Sequence, residues 1–365
     1  MTAVIQDVPG NFRHRSDGTF RKSVPAELAQ AEVRGHAAVR GHLPSAALLG
    51  TIVEPDGRHT LIYQDVFADG RCTALLADLI TRADADPRQA PAVTSLIDTA
   101  CDSILLAAEH TGEPAPIGSC RPGLYAERLR AGGRLDTWYG AEPPLTVVTG
   151  ELTADIYFPQ LLTQLREQLA PATLIAMAVT QGDPTEPNIA APLCWLDHEH
   201  AGRNALAGEA ANLLWYLLAM GGWLVPRYKP LTYWRTVRSP SPALPPTLTH
   251  LRAGQGWLEV SGTLQTGAGR HAAITALTRR LHSDLGALIN AGDDPLIALR
   301  PWLVLRILGV LPITAMAQAD WAFCLALLAQ VLCERTRLDD FARVAPGPAL
   351  GSADDRLPAQ PEGRS

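Results

Sequence analysis

The sequence predicts an α+β protein in which a small β-rich unit precedes a larger, mainly helical unit. In the first 66 residues, short strands are separated by the turns Asp17-Gly18 and Asp56-Gly57, in which glycine can adopt a positive φ. After Asp69-Gly70, long segments rich in Ala and Leu show helical spacing of their apolar residues. This change of pattern places the junction between the two units near residues 63–70.

Three regions follow from this pattern. We expect an N-terminal unit over residues 1–66 and a second unit over residues 67–344. Residues 345–365 are rich in Pro, Gly, Asp and Ser without periodicity, which predicts a disordered tail.

The N-terminal unit is predicted to contain a β-hairpin, a helix and two further strands. Phe20, Lys22 and Val24 share one face of the second hairpin strand because side chains alternate along a strand. Pro25 suits the first turn of the helix. The predicted elements are a hairpin over residues 11–24, a helix over 25–41, and strands over 48–53 and 60–66.

The second unit is predicted to be mostly helical, with two short buried strands. Six prolines interrupt residues 226–256, which predicts a loop there, and residues 112–150 are irregular. The predicted helices cover residues 71–84, 91–111, 153–170, 204–221, 268–291 and 296–334. The predicted strands cover 175–179 and 193–196.

Composition excludes several classes of protein. A net charge of −6 argues against nucleic-acid binding, which requires a basic face. The six cysteines are scattered without a metal-ligand spacing, as expected for reduced thiols of a cytoplasmic protein. The N-terminus lacks the apolar segment of a signal peptide. The most apolar stretch, Trp302–Met316, contains Arg306 and is too short to span a bilayer, so we expect a buried helix and no membrane association.

The segment between residues 179 and 210 carries the chemistry. An apolar strand ends at Thr180, a loop presents Asp183 and then Asn188, and a second short strand leads to Asp197. Phosphoryl transfer needs a carboxylate that orients the attacking hydroxyl and accepts its proton, and oxygen ligands for Mg²⁺. Asp183 and Asp197 are alternatively ordinary turn residues, a role that Asp often fills.

This segment resembles the catalytic loop and metal segment of aminoglycoside phosphotransferases and choline kinase-like small-molecule kinases. That family has H-G-D-x-x-x-x-N, an apolar strand, and then I-D-W/F-E; here QGDPTEPN and WLDHEHAG occupy these places. The resemblance implies a protein-kinase-like two-lobed fold, with a small β-rich N-lobe and a large, mainly helical C-lobe. It also implies that Asp183 is the catalytic base and that Asn188 and Asp197 are Mg²⁺ ligands. Glu199 stands where the family often has a second acid.

A kinase of this type also needs a strand lysine paired with a helix glutamate. Lys22 is one of only two lysines, against 29 arginines, and lies on a predicted strand before the helix that carries Glu32. Glu27 is a rival partner, but the helix dipole alone favours an acid at its position. By resemblance, Tyr63, Gln64, Asp65 and Val66 form the strand end that binds the purine of ATP or GTP.

Two departures from the family pattern are visible. Gln181 replaces the family's histidine, and its amide can still form hydrogen bonds. Few residues precede the hairpin, so either the first strand of the lobe is missing or residues 10–18 form a reduced lid over the phosphates.

Aromatic and arginine side chains are the candidates for binding the acceptor, because they stack on and hydrogen-bond to sugars and heterocycles. Packing in the core is their alternative role. The main candidates are Tyr228, Trp234 and Arg235, together with the acid Glu199. Further possibilities are Tyr125, Arg128, Trp138, Tyr139, Trp223, Arg227 and Tyr233.

The predicted function is transfer of the γ-phosphate of ATP or GTP, with Mg²⁺, to a hydroxyl of a small molecule. An antibiotic or another natural product that carries a sugar or nucleoside is favoured as acceptor. A metabolic kinase for choline, a sugar or an amino alcohol is the alternative, as is a catalytically weak nucleotide-binding protein. A helical interaction protein would require the β-rich unit to be absent. A monomer or homodimer is expected.

Overall fold

The computed structural model describes residues 12–120 and 126–343 of the protein, and it is a mixed α/β structure with several small sheets. The predicted tail, and Tyr125, lie outside the described residues. The strands are β1 (Phe12–Ser16), β2 (Thr19–Val24), β3 (Leu48–Val53), β4 (His59–Gln64), β5 (Ala74–Leu75), β6 (Glu113–Pro116), β7 (Leu145–Thr149), β8 (Leu152–Ile156), β9 (Leu174–Thr180), β10 (Ile189–Ala191), β11 (Cys194–Trp195), β12 (Gly202–Ala205), β13 (Thr247–Gly254) and β14 (Trp257–Thr263).

The helices are more numerous in the second part of the chain, as predicted. They are α1 (Ala26–Val39), α2 (Leu76–Ala85), α3 (Ala90–Thr111), α4 (Ala126–Leu129), α5 (Arg134–Tyr139), α6 (Phe158–Gln168), α7 (Leu206–Trp215), α8 (Val225–Tyr228), α9 (Pro230–Thr236), α10 (Ala268–Leu281), α11 (Asp284–Leu288), α12 (Pro295–Gly309), α13 (Gln318–Leu332) and α14 (Leu338–Ala342). After α7 the chain continues as a π-helix over Tyr216–Leu224.

The N-terminal sheet matches the predicted arrangement of strands. It is antiparallel with the order β1-β2-β4-β3, and the turn Asp17-Gly18 joins β1 to β2. Lys22 and Val24 are buried on one face of β2, whereas Arg21 is exposed on the other. The predicted alternation along this strand is therefore confirmed.

Helix α1 packs closely against the chain that follows β11. Its buried face includes Glu32 and Gly35. A Cβ atom at Gly35 would overlap the carbonyl oxygen of His198, so only glycine permits this approach. The contact holds the Glu32 side chain beside the segment that follows Trp195.

Two short sheets present the catalytic segment. In one sheet, β9 pairs with β12 and β6; in the other, β10 pairs with β11 and β5. The β10–β11 hairpin turns over Ala191–Leu193, close to the turn predicted at residues 190–192. The loop with Asp183 runs from the end of β9 to the start of β10.

Two sequence-based predictions of secondary structure were wrong. Residues 153–170 are not one helix, because Leu152–Ile156 is strand β8 and the helix begins at Phe158. Residues 226–256 are not a loop, since they contain α8, α9 and β13. The strands belong to a four-stranded sheet, β13-β14-β7-β8, whose β7–β14 pairing joins segments about a hundred residues apart. Local patterns do not encode such pairing.

The core lies mainly among the later helices.

The six cysteines are free thiols and five of them are buried. Two helical stretches, Pro87–Thr111 and Pro295–Ala315, are long and apolar enough to cross a membrane, a property that core helices share. Most of the second stretch is buried within the protein, in line with the helix expected around Arg306.

Candidate functional site

A cavity of about 600 Å³ lies between the N-terminal sheet and the segments that carry the predicted catalytic residues. Its walls combine side chains from distant parts of the sequence. Of the predicted site residues, those that line it are Lys22, Glu32, Tyr63, Gln64, Asp65, Val66, Asn188, Asp197 and Arg235. Asp183, Glu199, Tyr228 and Trp234 are not part of this lining.

Lys22 lies at the centre of the cavity wall, between two carboxylates. Its Nζ is 2.5 Å from Glu32 Oε2 and 2.6 Å from Asp197 Oδ1. Lys22 and Glu32 are buried, whereas the Asp197 side chain keeps 25% of its surface exposed. The contact between Lys22 and Glu32 matches the predicted pairing, and Glu27 is not the partner in this structure.

The second oxygen of Glu32 is held by two further donors. The Tyr63 hydroxyl donates to Glu32 Oε1 at 2.8 Å, and the backbone N–H of His198 donates to the same oxygen at 3.2 Å. Burial, followed by the charge of Glu32, raises the pKa of Tyr63, so its hydroxyl stays protonated and donates. Burial lowers the pKa of His198 to about 3, so this imidazole is neutral near pH 7.

The backbone around Asp197 is shaped by the β10–β11 hairpin and by Gln181. Leu196 N–H donates to the carbonyl of Asn188 at 2.9 Å, which brings Asn188 beside the residue before Asp197. Gln181 Nε2 donates to the carbonyls of Leu196 and Asp197, at 2.9 and 2.6 Å. Asp197 itself has a φ of 58°, an unusual value for a residue other than glycine. Gln181 therefore supports the segment as an amide can.

Asp183 lies at the start of the loop, where its backbone N–H donates to Gln181 Oε1 at 2.9 Å. Its Oδ1 accepts a hydrogen bond from Asn212 Nδ2 at 2.8 Å and lies 3.8 Å from Arg306 Nη1. About a third of its side-chain surface remains exposed. Asn188 Nδ2 donates to the Asp183 carbonyl at 3.0 Å, which joins the two ends of the loop.

The residue before Asp183 must be glycine. Gly182 has a φ of 88°, and a Cβ there would overlap the carbonyl of His200. Its N–H donates to Glu209 Oε2 at 3.1 Å. Glu209 is buried at the start of α7, and this burial raises its pKa to about 7. Glu209 therefore braces the loop from the first turn of α7.

A cluster of carboxylates could hold a metal ion. One oxygen from each of Glu32, Asp197 and Glu199 lies within 4.8 Å of the others. Burial raises the pKa of Glu199, an effect that a bound cation would oppose. Carboxylate and amide oxygens suit Mg²⁺, so Asp197, Asn188 and Glu199 fit this ion chemically.

The backbone of the predicted purine-binding segment is mostly used within the protein. The N–H groups of Gln64 and Asp65 donate to the carbonyls of Ala47 and Gly18. The Val66 carbonyl accepts a hydrogen bond from Cys72 N–H at 2.7 Å. Among the residues that the structure describes, the Val66 N–H donates to no partner, so it remains available to a ligand in the cavity.

Several predicted substrate residues lie elsewhere. The Tyr228 hydroxyl donates to Asp320 and accepts from Ala317 N–H, so it anchors the start of α13. Trp234 is 68% exposed on α9. Other aromatic candidates pack in the core: Tyr139, Trp223 and Tyr233 are buried. For these three, the core-packing role is the one that the structure has.

The sequence reasoning missed an ion pair that holds the middle of the loop. Glu186, three residues after Asp183, contacts Arg270 of α10 with N–O distances of 2.5 and 3.2 Å. Both side chains are buried, and Arg270 also donates to the Leu217 carbonyl in the π-helix. Arg306 and Asn212 were missed as neighbours of Asp183. The sequence gives one signal for these two residues: each is charged or polar but lies within an apolar helix. Burying such a side chain without a partner is unfavourable, so a partner is expected.

Comparisons with known proteins find no matching family and only a weak structural likeness. No protein-family profile matches the chain, and neither does any curated protein. Solved structures of glucosamine kinase resemble it at low identity. Crystal form A has 13% identity and a TM-score of 0.42 over 89% of this chain and 75% of that one. A complex with glucosamine, ADP and inorganic phosphate has 13% identity and a TM-score of 0.43 over 89% and 77%. Likeness at this level assigns no function to this chain.

Proposed function

We propose that this chain is a small-molecule kinase with a two-lobed, kinase-like arrangement, which transfers the γ-phosphate of a nucleoside triphosphate to a hydroxyl. One observation carries the proposal. Lys22 and Glu32, ten residues apart, meet Asp197, 175 residues after Lys22, through two short ion contacts at one cavity. Burying a lysine and a glutamate costs desolvation free energy that their ion contact need not repay, so such a pair is weak evidence of stabilisation. A phosphate site is a functional reason for the pair to be there.

The positions of the other cavity residues support a nucleotide as the ligand. The free N–H of Val66 can donate to a purine, while Lys22 can reach phosphates at the other end of the cavity. The volume of about 600 Å³ lies within the range of small-molecule sites. Both ATP and GTP satisfy these contacts.

The oxygen ligands support Mg²⁺ as the cofactor. Asn188 and Asp197 would hold the ion, with Glu199 close enough to contribute. A bound Mg²⁺ would neutralise charge on the transferred phosphate. Lys22 would then position the remaining phosphate oxygens.

Asp183 would act as the base for the acceptor hydroxyl. Its carboxylate is partly exposed, and Asn212 fixes its orientation through Oδ1. A carboxylate placed in this way can orient a hydroxyl and accept its proton as the phosphate is transferred. The remaining oxygen, Oδ2, is the one available to the acceptor.

The acceptor is proposed only as a small molecule with a hydroxyl. The antibiotic-like acceptor expected from the sequence rests on the resemblance alone, because neither the geometry of the site nor the comparisons favours it over a sugar or an amino alcohol. An acceptor screen would therefore include glucosamine, choline, nucleosides and aminoglycosides. Cytoplasmic location, absence of nucleic-acid and membrane partners, and a monomeric or dimeric state remain predictions.

Calorimetric titration tests the nucleotide site without knowledge of the acceptor. ATP and GTP would be titrated, with and without Mg²⁺, into the wild type, Asp197→Asn and the control Asp293→Asn, whose side chain is exposed. We expect Mg²⁺-dependent binding that Asp197→Asn weakens by about tenfold or more and the control leaves unchanged. Folded protein that binds neither nucleotide would disprove the proposal.

One observation favours a second function, a nucleotide-binding protein with weak catalysis. Within residues 12–120, the strand of Lys22 is preceded by the two-residue turn Asp17-Gly18, and not by a glycine-rich phosphate loop. A shorter grip on the triphosphate would lower turnover more than binding. Nucleotide binding without ADP production, across the whole acceptor screen, would favour this alternative.

A further inference from the structure

The charged side chains that line the cavity fall into two groups, one around Lys22 and one formed by two arginines. On the wall formed by the sheet and the catalytic segment, Lys22 is already balanced by two carboxylates, Glu32 and Asp197. Asp65 adds a further acid on the same side. This wall therefore has no surplus of positive charge for an anionic ligand.

Two arginines also line the cavity. Arg235 lies in the last turn of α9, and Arg238 follows three residues later; both are exposed. Within the described parts of the chain, no carboxylate forms an ion pair with either guanidinium. Val237, between them, is buried, so the two arginines share a backbone that is fixed from within.

The segment is anchored, so its arginines keep a defined position. Ser239 N–H donates to Asp78 Oδ1 at 2.8 Å, and Asp78 is itself buried at the start of α2. The Arg238 guanidinium lies 4.5 Å from the ring centre of Phe67, one residue after the predicted purine-binding segment. A guanidinium stacked in this way still presents N–H groups at its edge for a planar or tetrahedral anion.

We propose that Arg235 and Arg238 form a second anion subsite of the cavity, distinct from the Lys22 centre, that binds a phosphate or carboxylate group. The proposal rests on the nucleotide-binding function above. The anion is either a phosphate of the nucleotide itself or an acidic group of the acceptor.

The test compares variants that remove the charge with variants that keep it. Arg235→Gln/Arg238→Gln removes both charges, and Arg235→Lys/Arg238→Lys retains them; Arg252→Gln, on exposed β13, is the matched control. Because the two arginines are exposed, the thermal midpoint of each variant should stay close to that of the wild type. Adenosine, AMP, ADP and ATP would be titrated with Mg²⁺, and inorganic phosphate would be titrated into protein saturated with MgADP.

Two results would support the subsite and identify its ligand. If the nucleotide supplies the anion, the Gln pair weakens ATP binding by about tenfold while adenosine binds as before. If the acceptor supplies it, nucleotide affinities stay unchanged and phosphate binding to the MgADP complex is lost. In both cases the Lys pair keeps most of the affinity and Arg252→Gln behaves as wild type.

The subsite is ruled out if the Gln pair binds every probe as the wild type does, or if the Lys pair loses as much as the Gln pair. Both outcomes leave the proposed function intact, provided that the wild type binds MgATP. If the wild type binds no nucleotide, the proposed function fails, and titration of phosphate into the free protein then tests the subsite by itself: binding that the Gln pair loses would support it, and equal or absent binding would reject it.

Discussion

Two buried ion pairs of this protein, Lys22–Glu32 and Arg270–Glu186, are similar in burial but differ in their surroundings. Lys22 faces the cavity and shares its charge with the partly exposed Asp197. Arg270 grips Glu186 with two N–O contacts away from the cavity lining, and binds a backbone carbonyl as well. The first arrangement leaves a cation within reach of a ligand, whereas the second fixes the backbone of a loop. Similar residues are therefore placed within reach of a ligand in one case and hold a loop in the other.

The largest effect on stability is expected from breaking the positioning pair. Arg270→Met leaves the Glu186 carboxylate buried without its partner, which should lower the free energy of unfolding by about 3–5 kcal/mol. Arg279→Met on the same helix removes only an exposed pair with Asp98, and should lower it by less than about 1 kcal/mol. Urea denaturation measures both. Equal losses would show that the buried pair does not hold the structure.

The ligand-facing pair should instead respond in activity. Lys22→Met removes the cation expected to stabilise the phosphates, so ADP production should fall by about 100- to 1000-fold. A coupled assay with an acceptor from the screen measures the rate. Unchanged turnover would remove Lys22 from the catalytic machinery.

Glu209 extends the comparison to a buried carboxyl that forms no ion pair with the described residues. Burial raises its pKa from 4.5 to about 7, so its contribution to stability is fully present below pH 4.5 and is lost as the pH rises through 7. Glu209→Gln keeps an acceptor for Gly182 N–H but cannot ionise. Between pH 5 and 8, the wild type should therefore lose on the order of 3 kcal/mol relative to the variant. Parallel pH profiles of unfolding free energy would contradict the raised pKa.

The smallest effect concerns the hydrogen bond that orients Glu32. Tyr63→Phe removes one donor to Glu32 Oε1 but leaves His198 N–H and Lys22 in place. We expect a loss of about 1 kcal/mol in stability and a few-fold loss in MgATP affinity. Calorimetry would detect this change, with Tyr157→Phe, an exposed tyrosine, as the control. An unchanged affinity would mean that Lys22 and His198 N–H orient Glu32 without the Tyr63 hydroxyl.

The elements that carry the predicted site agree with the structure where their signals are local in sequence. The loop from Asp183 to Asn188 and the short hairpin before Asp197 lie where the pattern of turns and apolar strands placed them. The helix of Glu32 was also predicted, because its apolar spacing and its first-turn proline are local signals. The roles of these residues stay predictions until nucleotide binding is measured.

Other features depended on contacts that no local pattern contains. Residues 153–156 were predicted as the start of a helix, but pairing of Leu152–Ile156 with β7 makes them a strand. The aromatic residues Tyr228 and Trp234 looked suited to an acceptor, but they lie outside the lining of the cavity. Position in the fold, and not residue type, decides which aromatic side chains line the cavity.

By itself, the sequence determined the β-rich start of the chain, the order of the catalytic segment and the few residue types able to perform phosphoryl transfer. These features follow from hydrophobic periodicity, turn chemistry and the ligands that Mg²⁺ accepts. The Lys22–Glu32 pairing was also predicted, but only the tertiary structure decided that Asp197 joins it, that Arg270 pairs with Glu186, and that two arginines line the cavity. The strength of an ion pair depends on the distance between its charges and on their burial. The sequence separations of these pairs range from 10 to 175 residues and determine neither quantity.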